Sequence, residues 1–246
     1  MANLDRFNQT LVSRRGFVVG VVAVTALAQR SSPAGAAEKP KIGIIGAGNI
    51  GGALGKLLAD AGYPVMLSAR DLAPVKALVA TIGHGARAGT PAEAAAFGEV
   101  IVMAVPWRAL PEVGKELAPM MKGKVLLDTC NPRPLRDGLL AYEGLKKGTG
   151  VTDPQFLPGT RLVRAFNALN YEILVSNAHH VGELIAIPLA SDDQQALEVA
   201  KQIVVDVGFE PVVVGGLSTA KSFDQGTPDY STALTASQLR KQLNIK

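Results

Sequence analysis

The run Gly46-Ala47-Gly48-Asn49-Ile50-Gly51 constrains this 246-residue chain more than any other feature. It follows an apolar segment, Lys41 to Ile45, and opens a stretch from Asn49 to Ala61. In that stretch Ile50, Leu54, Leu57, Leu58 and Ala61 share one helical face, and Gly62 is placed to end the helix. A glycine-rich turn alone is a weak signal, but strand, G-x-G-x-x-G turn and helix together form a dinucleotide-binding fingerprint. Gly46 permits the tight turn, Gly48 lets the backbone approach a pyrophosphate, and Gly51 allows close helix–strand packing. Asn49 and Ile50 begin the helix, whose free N–H groups and partial positive charge suit phosphate.

The rest of the chain alternates apolar runs with helical patterns. That order predicts an α/β fold of Rossmann type: a doubly wound, mostly parallel sheet with helices on both faces. Strands are expected at Lys41 to Ile45, Pro64 to Ser68, Glu99 to Val105, Lys124 to Asp128 and Arg161 to Phe166. Two more are expected at Leu184 to Leu189 and Glu210 to Val214. Several are continuously apolar, as strands buried on both faces should be. Asp192 to Val205 reads as a helix capped by Asp192 or Asp193. Between Asn131 and Gly159 the pattern weakens under many Gly and Pro residues, and a long loop with at most a short helix is expected. A short C-terminal helical tail follows, Thr235 to Leu243, with Thr235 and Gln238 spaced as a capping box.

The end of the second strand indicates which nucleotide fits. NAD-binding domains usually place an acid there to hold the ribose 2′-hydroxyl. Here Ser68 stands 22 positions beyond Gly46, and Ala69 and Arg70 follow. A hydroxyl and a guanidinium suit a 2′-phosphate, which points to NADP(H). Asp71 is expected to cap the next helix rather than oppose that phosphate, and the bland alternative leaves Arg70 as a solvated surface residue.

The leader has a different character. Arg14 and Arg15 precede an apolar run, Phe17 to Ala28, and Ala34-Gly35-Ala36 offers a cleavage site. Residues 1–37 are thus expected to be a twin-arginine signal peptide that engages the Tat machinery and directs a periplasmic or secreted protein. An uncleaved anchor and a frayed cytoplasmic N-terminus are the alternatives. Residues 38–217 would form the NADP-binding Rossmann domain, and 218–246 a tail packed on it. Four arginines against one aspartate give the leader +3 of the chain's +4, so the body keeps about +1. That balance excludes a nucleic-acid-binding surface of the usual basic kind. One cysteine, Cys130, excludes a disulfide framework and a cysteine-based metal site. Cys130 itself reads as a small buried hydrophobe.

With the glycine loop, Ser68 and Arg70, Val105-Pro106-Trp107 and Arg164-Ala165-Phe166-Asn167 in view, the chain resembles the NADP oxidoreductases dependent on deazaflavin coenzyme F-420. The resemblance spans Lys41 to about Leu217. It departs where Ala69 stands and in the tail from Lys221. It implies that Ser68 and Arg70 hold the 2′-phosphate, and that Val105, Pro106 and Trp107 border the nicotinamide. It also implies that Phe166 and Asn167 face a second cofactor, deazaflavin or flavin. Asn131, at a strand's carboxyl end, is placed to contact nicotinamide or ribose. Trp107 reads equally well as plain core.

Hydride transfer between stacked rings needs no protein nucleophile and no metal, so neither a catalytic side chain nor a metal ligand is assigned. The expected function is an NADP(H)-dependent oxidoreductase acting on a small-molecule redox acceptor. A non-catalytic NADP(H) storage or sensor module is the alternative, and a homodimer stays open as a partner. A hydroxyacid or imino-acid dehydrogenase would need a large helical domain, and only about 30 residues follow Val214.

Overall fold

A computed structural model describes residues 38–228 and 230–245. Lys39–Lys246 forms one compact unit. The twin-arginine leader, with its expected export and cleavage, lies outside the described residues.

The first half of this unit alternates strand and helix strictly. It runs β1 (Ile42–Ile45), α1 (Asn49–Asp60), β2 (Val65–Ser68), α2 (Leu72–Ile82), β3 (Arg87–Gly89), α3 (Pro91–Phe97), β4 (Val100–Met103), α4 (Leu110–Met121) and β5 (Val125–Asp128). Three helices follow: α5 (Pro134–Asp137), α6 (Leu140–Lys147) and α7 (Thr149–Phe156). The chain closes with β6 (Arg161–Arg164), α8 (Tyr171–Asn177), β7 (Ala186–Ala190), α9 (Gln194–Asp206), β8 (Glu210–Gly215) and α10 (Ala236–Leu243).

The strands form one sheet in the order β3-β2-β1-β4-β5-β6-β7-β8. Every neighbouring pair from β3 to β6 is parallel, β6 and β7 meet antiparallel at Arg164 and Ala190, and β7–β8 is parallel again. The strand order reverses between β1 and β4. In an open α/β sheet that reversal opens a crevice at the strands' carboxyl ends.

Successive side chains on a strand point to opposite faces, so each continuous apolar run feeds two cores. Ile42, Ile44, Val100, Val102, Val125 and Leu127 join Leu54 and Leu58 of α1 and Ile203 of α9 on one face. Ile45, Ile101, Met103 and Leu126 join Leu110, Leu117 and Met121 of α4 on the other. Each such side chain contributes roughly 1.5–3 kcal/mol by leaving water, which explains the unbroken Val-Ile-Val-Met of β4. Gly43 marks where a helix lies directly on the sheet, because a Cβ there would sit 2.0 Å from Ala94 O.

The helix starts follow the sequence. Asp71 accepts from Ala73 N, Asp193 from Ala196 N, and Thr235 with Gln238 forms a reciprocal capping box. Two features differ from expectation. β3 is an Arg-Ala-Gly edge strand with no apolar run to announce it. The stretch 131–159 holds three helices instead of a loop. Their apolar periodicity is faint because α7 buries Thr149, Thr152 and Asp153, polar residues that a hydrophobic pattern cannot register.

Candidate functional site

The crevice between β1 and β4 is a cavity of about 500 Å³. Gly48, Asn49 and Ile50 line it from the β1–α1 turn, Val105 and Pro106 from the end of β4, and Asn131 from the end of β5. Asn167, Tyr171, Tyr230 and Ser231 close the far side.

The glycine loop has the geometry its sequence demands. Gly46 has φ +105°, and a Cβ on it would lie 2.3 Å from Ala104 O. A Cβ on Gly51 would lie 1.8 Å from Gly46 O, so α1 packs straight onto the turn. Around Gly48, by contrast, a Cβ would meet nothing within 4 Å, and the backbone borders open space. No side chain caps α1. Its first-turn N–H groups are left for an anion, and this loop fits a dinucleotide's pyrophosphate.

At the end of β2 one expectation changes. Ser68 is fully buried, and its hydroxyl donates to Ile44 O at 2.8 Å. That proton is spent inside the sheet, so Ser68 offers no donor to a 2′-phosphate. Arg70 is exposed and, among the described residues, has no hydrogen bond or ion pair. With Asp71 committed to α2, no carboxylate occupies the ribose position from Ser68 to Arg70.

Two aromatic assignments also change. Trp107 does not line the cavity. It is fully buried, stacks edge-on against Phe156 with centroids 5.5 Å apart, and donates from Nε1 to Asp153 Oδ1 at 2.8 Å. Gly144 of α6 sits against its ring, where a Cβ would come within 2.7 Å of Cζ2. Phe166 is likewise 1% exposed and belongs to the core that contains Leu169 and Leu174. Its side chain anchors the strand end instead of facing an acceptor. Its φ of +58° is a left-handed conformation that non-glycine residues rarely hold. Phe166→Ala is therefore expected to cost about 3–5 kcal/mol of stability. Denaturant melts of the two proteins would show it as a lower midpoint at unchanged slope.

Behind the cavity lies a buried ionic cluster that sequence reasoning missed. The Arg164 guanidinium, fully buried, stands 2.7 Å from Asp128, 3.4 Å from Asp153 and 3.4 Å from Asp224. Burial works to lower the Arg164 pKa, but the facing acids, Asp128 first and then Asp224, outweigh it and hold the group charged. Burial and the neighbouring Asp128 push the Asp153 carboxyl well above its ordinary range, which favours its protonated form. Burial likewise raises the Cys130 thiol, which is unreactive and packs as the small hydrophobe expected.

This cluster reaches the cavity through two amides. Arg164 Nη2 approaches Asn131 Oδ1 at 3.4 Å, and Asn131 Nδ2 donates to Asn167 O at 2.8 Å. Asn167 Nδ2 donates to Asp224 Oδ1 at 3.3 Å, which leaves Asn167 Oδ1 buried without a donor. The tail contributes too: Ser231 N donates to Ala168 O at 2.6 Å, bringing Tyr230 and Ser231 to the cavity wall. No sequence signal marked these tail residues. Arg133 and Arg136, also lining the wall, were legible only as a pair of arginines just past a strand end.

The fold and the glycine loop together define a Rossmann-type dinucleotide-binding protein. Within that class, residues 41–132 match the family model described as "NADP oxidoreductase coenzyme F420-dependent". The chain is 29% identical over 202 residues to the "F420-dependent NADP reductase" of Methanothermobacter marburgensis, covering 76% of this chain and 89% of that one. Among solved structures, a hypothetical protein from Sinorhizobium meliloti superposes with a TM-score of 0.69 at 22% identity, covering 80% and 95% of the two chains. A putative F420-dependent NADP-reductase from Arthrobacter superposes at 0.63 with 24% identity, covering 74% and 88%. These two structures share the fold.

Proposed function

We propose that the cavity binds NADP(H) across the β1/β4 crevice and that hydride passes between its nicotinamide and a flavin- or deazaflavin-type ring. The chain is an NADP-dependent oxidoreductase, and the finer reading concerns its acceptor. The observation that carries the nucleotide part of this reading is the loop around Gly48, open to the cavity while Gly46 and Gly51 are closed against backbone.

Each residue then has a physical task. Gly48 and the first turn of α1 bind the pyrophosphate, while exposed Arg70 recognises the 2′-phosphate by a charge-assisted pair. Val105 and Pro106 supply an apolar wall that keeps water from the reacting ring. Asn131 and Asn167, held from behind by Arg164 and Asp224, present an amide edge. Asn167 Oδ1, a buried acceptor without a donor, costs about 1–3 kcal/mol as it stands. Bound NADPH supplies the hydride, and the protein contributes orientation and exclusion of solvent.

Anaerobic mixing of the protein with NADPH and, in turn, riboflavin, FMN and a deazaflavin tests this reading. The expected result is loss of nicotinamide absorbance with at least one acceptor. Tight NADPH binding with no acceptor reduced would point instead to a storage or sensing module.

A further inference from the structure

The surface over α5 and α6 combines exposed apolar side chains with excess positive charge. Leu135 and Leu139 stand almost wholly in solvent, at 106% and 87% exposure, and Tyr142 is 58% exposed. The inner side of the same segment is anchored: Ala141 and Gly144 are buried, and Gly144 rests against the Trp107 ring. The three outward side chains therefore belong to a packed segment, and each leaves apolar area in water.

Basic residues flank them. Arg133, Leu135 and Arg136 line one shallow cleft. Arg108 donates to Arg136 O, and Lys221 Nζ donates to Lys146 O at 2.8 Å, which draws both side chains onto the segment. Two ion pairs cancel within it: Arg136 with Asp137 at 2.7 Å, and Lys147 with Glu143 at 2.6 Å. Among the described residues, no carboxylate pairs with Arg108, Arg133, Lys146 or Lys221. The uncompensated cations thus gather here, on a body whose formal charges sum to about +1.

We propose that this face docks on an anionic lipid surface, with Leu135, Leu139 and Tyr142 entering the interface and the unpaired cations resting among the headgroup phosphates. Apolar side chains set among basic ones are the composition of an interfacial membrane contact. Among the described residues no helix is long and apolar enough to cross a membrane, so the contact is peripheral. A second copy of the chain fits the face less well. A two-fold interface lays a patch on itself, which would set these cations against their own copies. A protein partner would need a shaped pocket for each protruding leucine, whereas fluid acyl chains need none. Arg133 and Arg136 also line the β1/β4 cavity, so docking here sets the mouth of that cavity at the bilayer surface.

A fluorophore on the face itself tests this in the full chain, whatever the leader does. Leu139→Cys would carry an environment-sensitive dye, while buried Cys130 stays unlabelled. The labelled protein is titrated with vesicles of phosphatidylcholine alone, and of phosphatidylcholine mixed with phosphatidylglycerol. A blue shift is expected with the mixed vesicles and not with phosphatidylcholine alone. Adding Lys146→Gln or Lys221→Gln should weaken the apparent affinity about fivefold each, the usual share of one basic residue near an anionic surface. Adding Leu135→Gln should weaken it at least about tenfold. NADPH affinity should stay unchanged in all of these variants. The proposal is overturned if the emission ignores the mixed vesicles, or if a shift survives the lysine and leucine substitutions undiminished. A shift that grows with protein concentration in the absence of lipid would assign the face to a second copy, and would overturn it as well.

Discussion

Arg164→Met is expected to destabilise the protein by about 3–5 kcal/mol, the largest effect of any single charge removal. The side chain is fully buried and faces Asp128, Asp153 and Asp224 together. Its loss leaves Asp128 and Asp224 without their cation in a dry interior. Asp153→Asn should behave quite differently. Burial favours the protonated form of Asp153, and its Oδ1 accepts from Trp107 Nε1 and Thr152 Oγ1, contacts an amide oxygen can keep. A change within about 1 kcal/mol is expected, as for a substitution that preserves a hydrogen-bond network. Urea unfolding of the two variants would separate them, and equal destabilisation would show that Asp153 acts as a charged partner of Arg164.

The pH dependence follows in sign. Because the folded Asp153 carboxyl titrates above its unfolded value, its contribution is fully present below the ordinary carboxylate range and declines as pH rises through the folded value. Asp153→Asn should remove that decline. An unchanged slope in stability against pH, measured in parallel on both proteins, would show that another group is responsible.

How much of this was legible in the sequence depends on how apolar the buried surface is. β1, β4 and β5 announce themselves because sheet burial on both faces demands unbroken Ile, Val and Leu. The caps at Asp71, Asp193 and Thr235 were equally readable, since each satisfies a local N–H by a short-range rule. The glycine loop lies with them: its tasks are set by backbone space. The buried Arg164 cluster was not readable, because its partners come from β5, α7 and the tail, 11 to 60 residues away in the chain. Ser68, Trp107 and Phe166 show the converse failure. Each has the right side-chain chemistry at the right strand end, yet packing turns all three into the core. Residue type and position along a strand do not decide which way a side chain faces after the strand stops.

Arg70→Ala carries the second large effect. Arg70 is exposed, lacks a partner among the described residues, and stands where NAD-binding domains usually place an acid. Ser68, with its hydroxyl tied to Ile44 O, cannot share the task. The whole preference for a 2′-phosphate then rests on this guanidinium. Its removal should weaken NADPH by roughly 1.5–3 kcal/mol, about 10- to 150-fold, and leave NADH almost unaffected. Stability should hardly move, because the side chain is solvent-exposed. A parallel loss of NADH affinity would mean that Arg70 supports the fold of the turn and does not select the nucleotide.

The central claim, that this cavity is built for NADP(H), is met most directly by calorimetric titration of the unaltered protein with NADPH and with NADH under identical salt. The account predicts one site per chain and an affinity for NADPH at least about tenfold higher, the size of one charge-assisted contact to the 2′-phosphate. Equal affinities for the two nucleotides, or no heat with either, would contradict it.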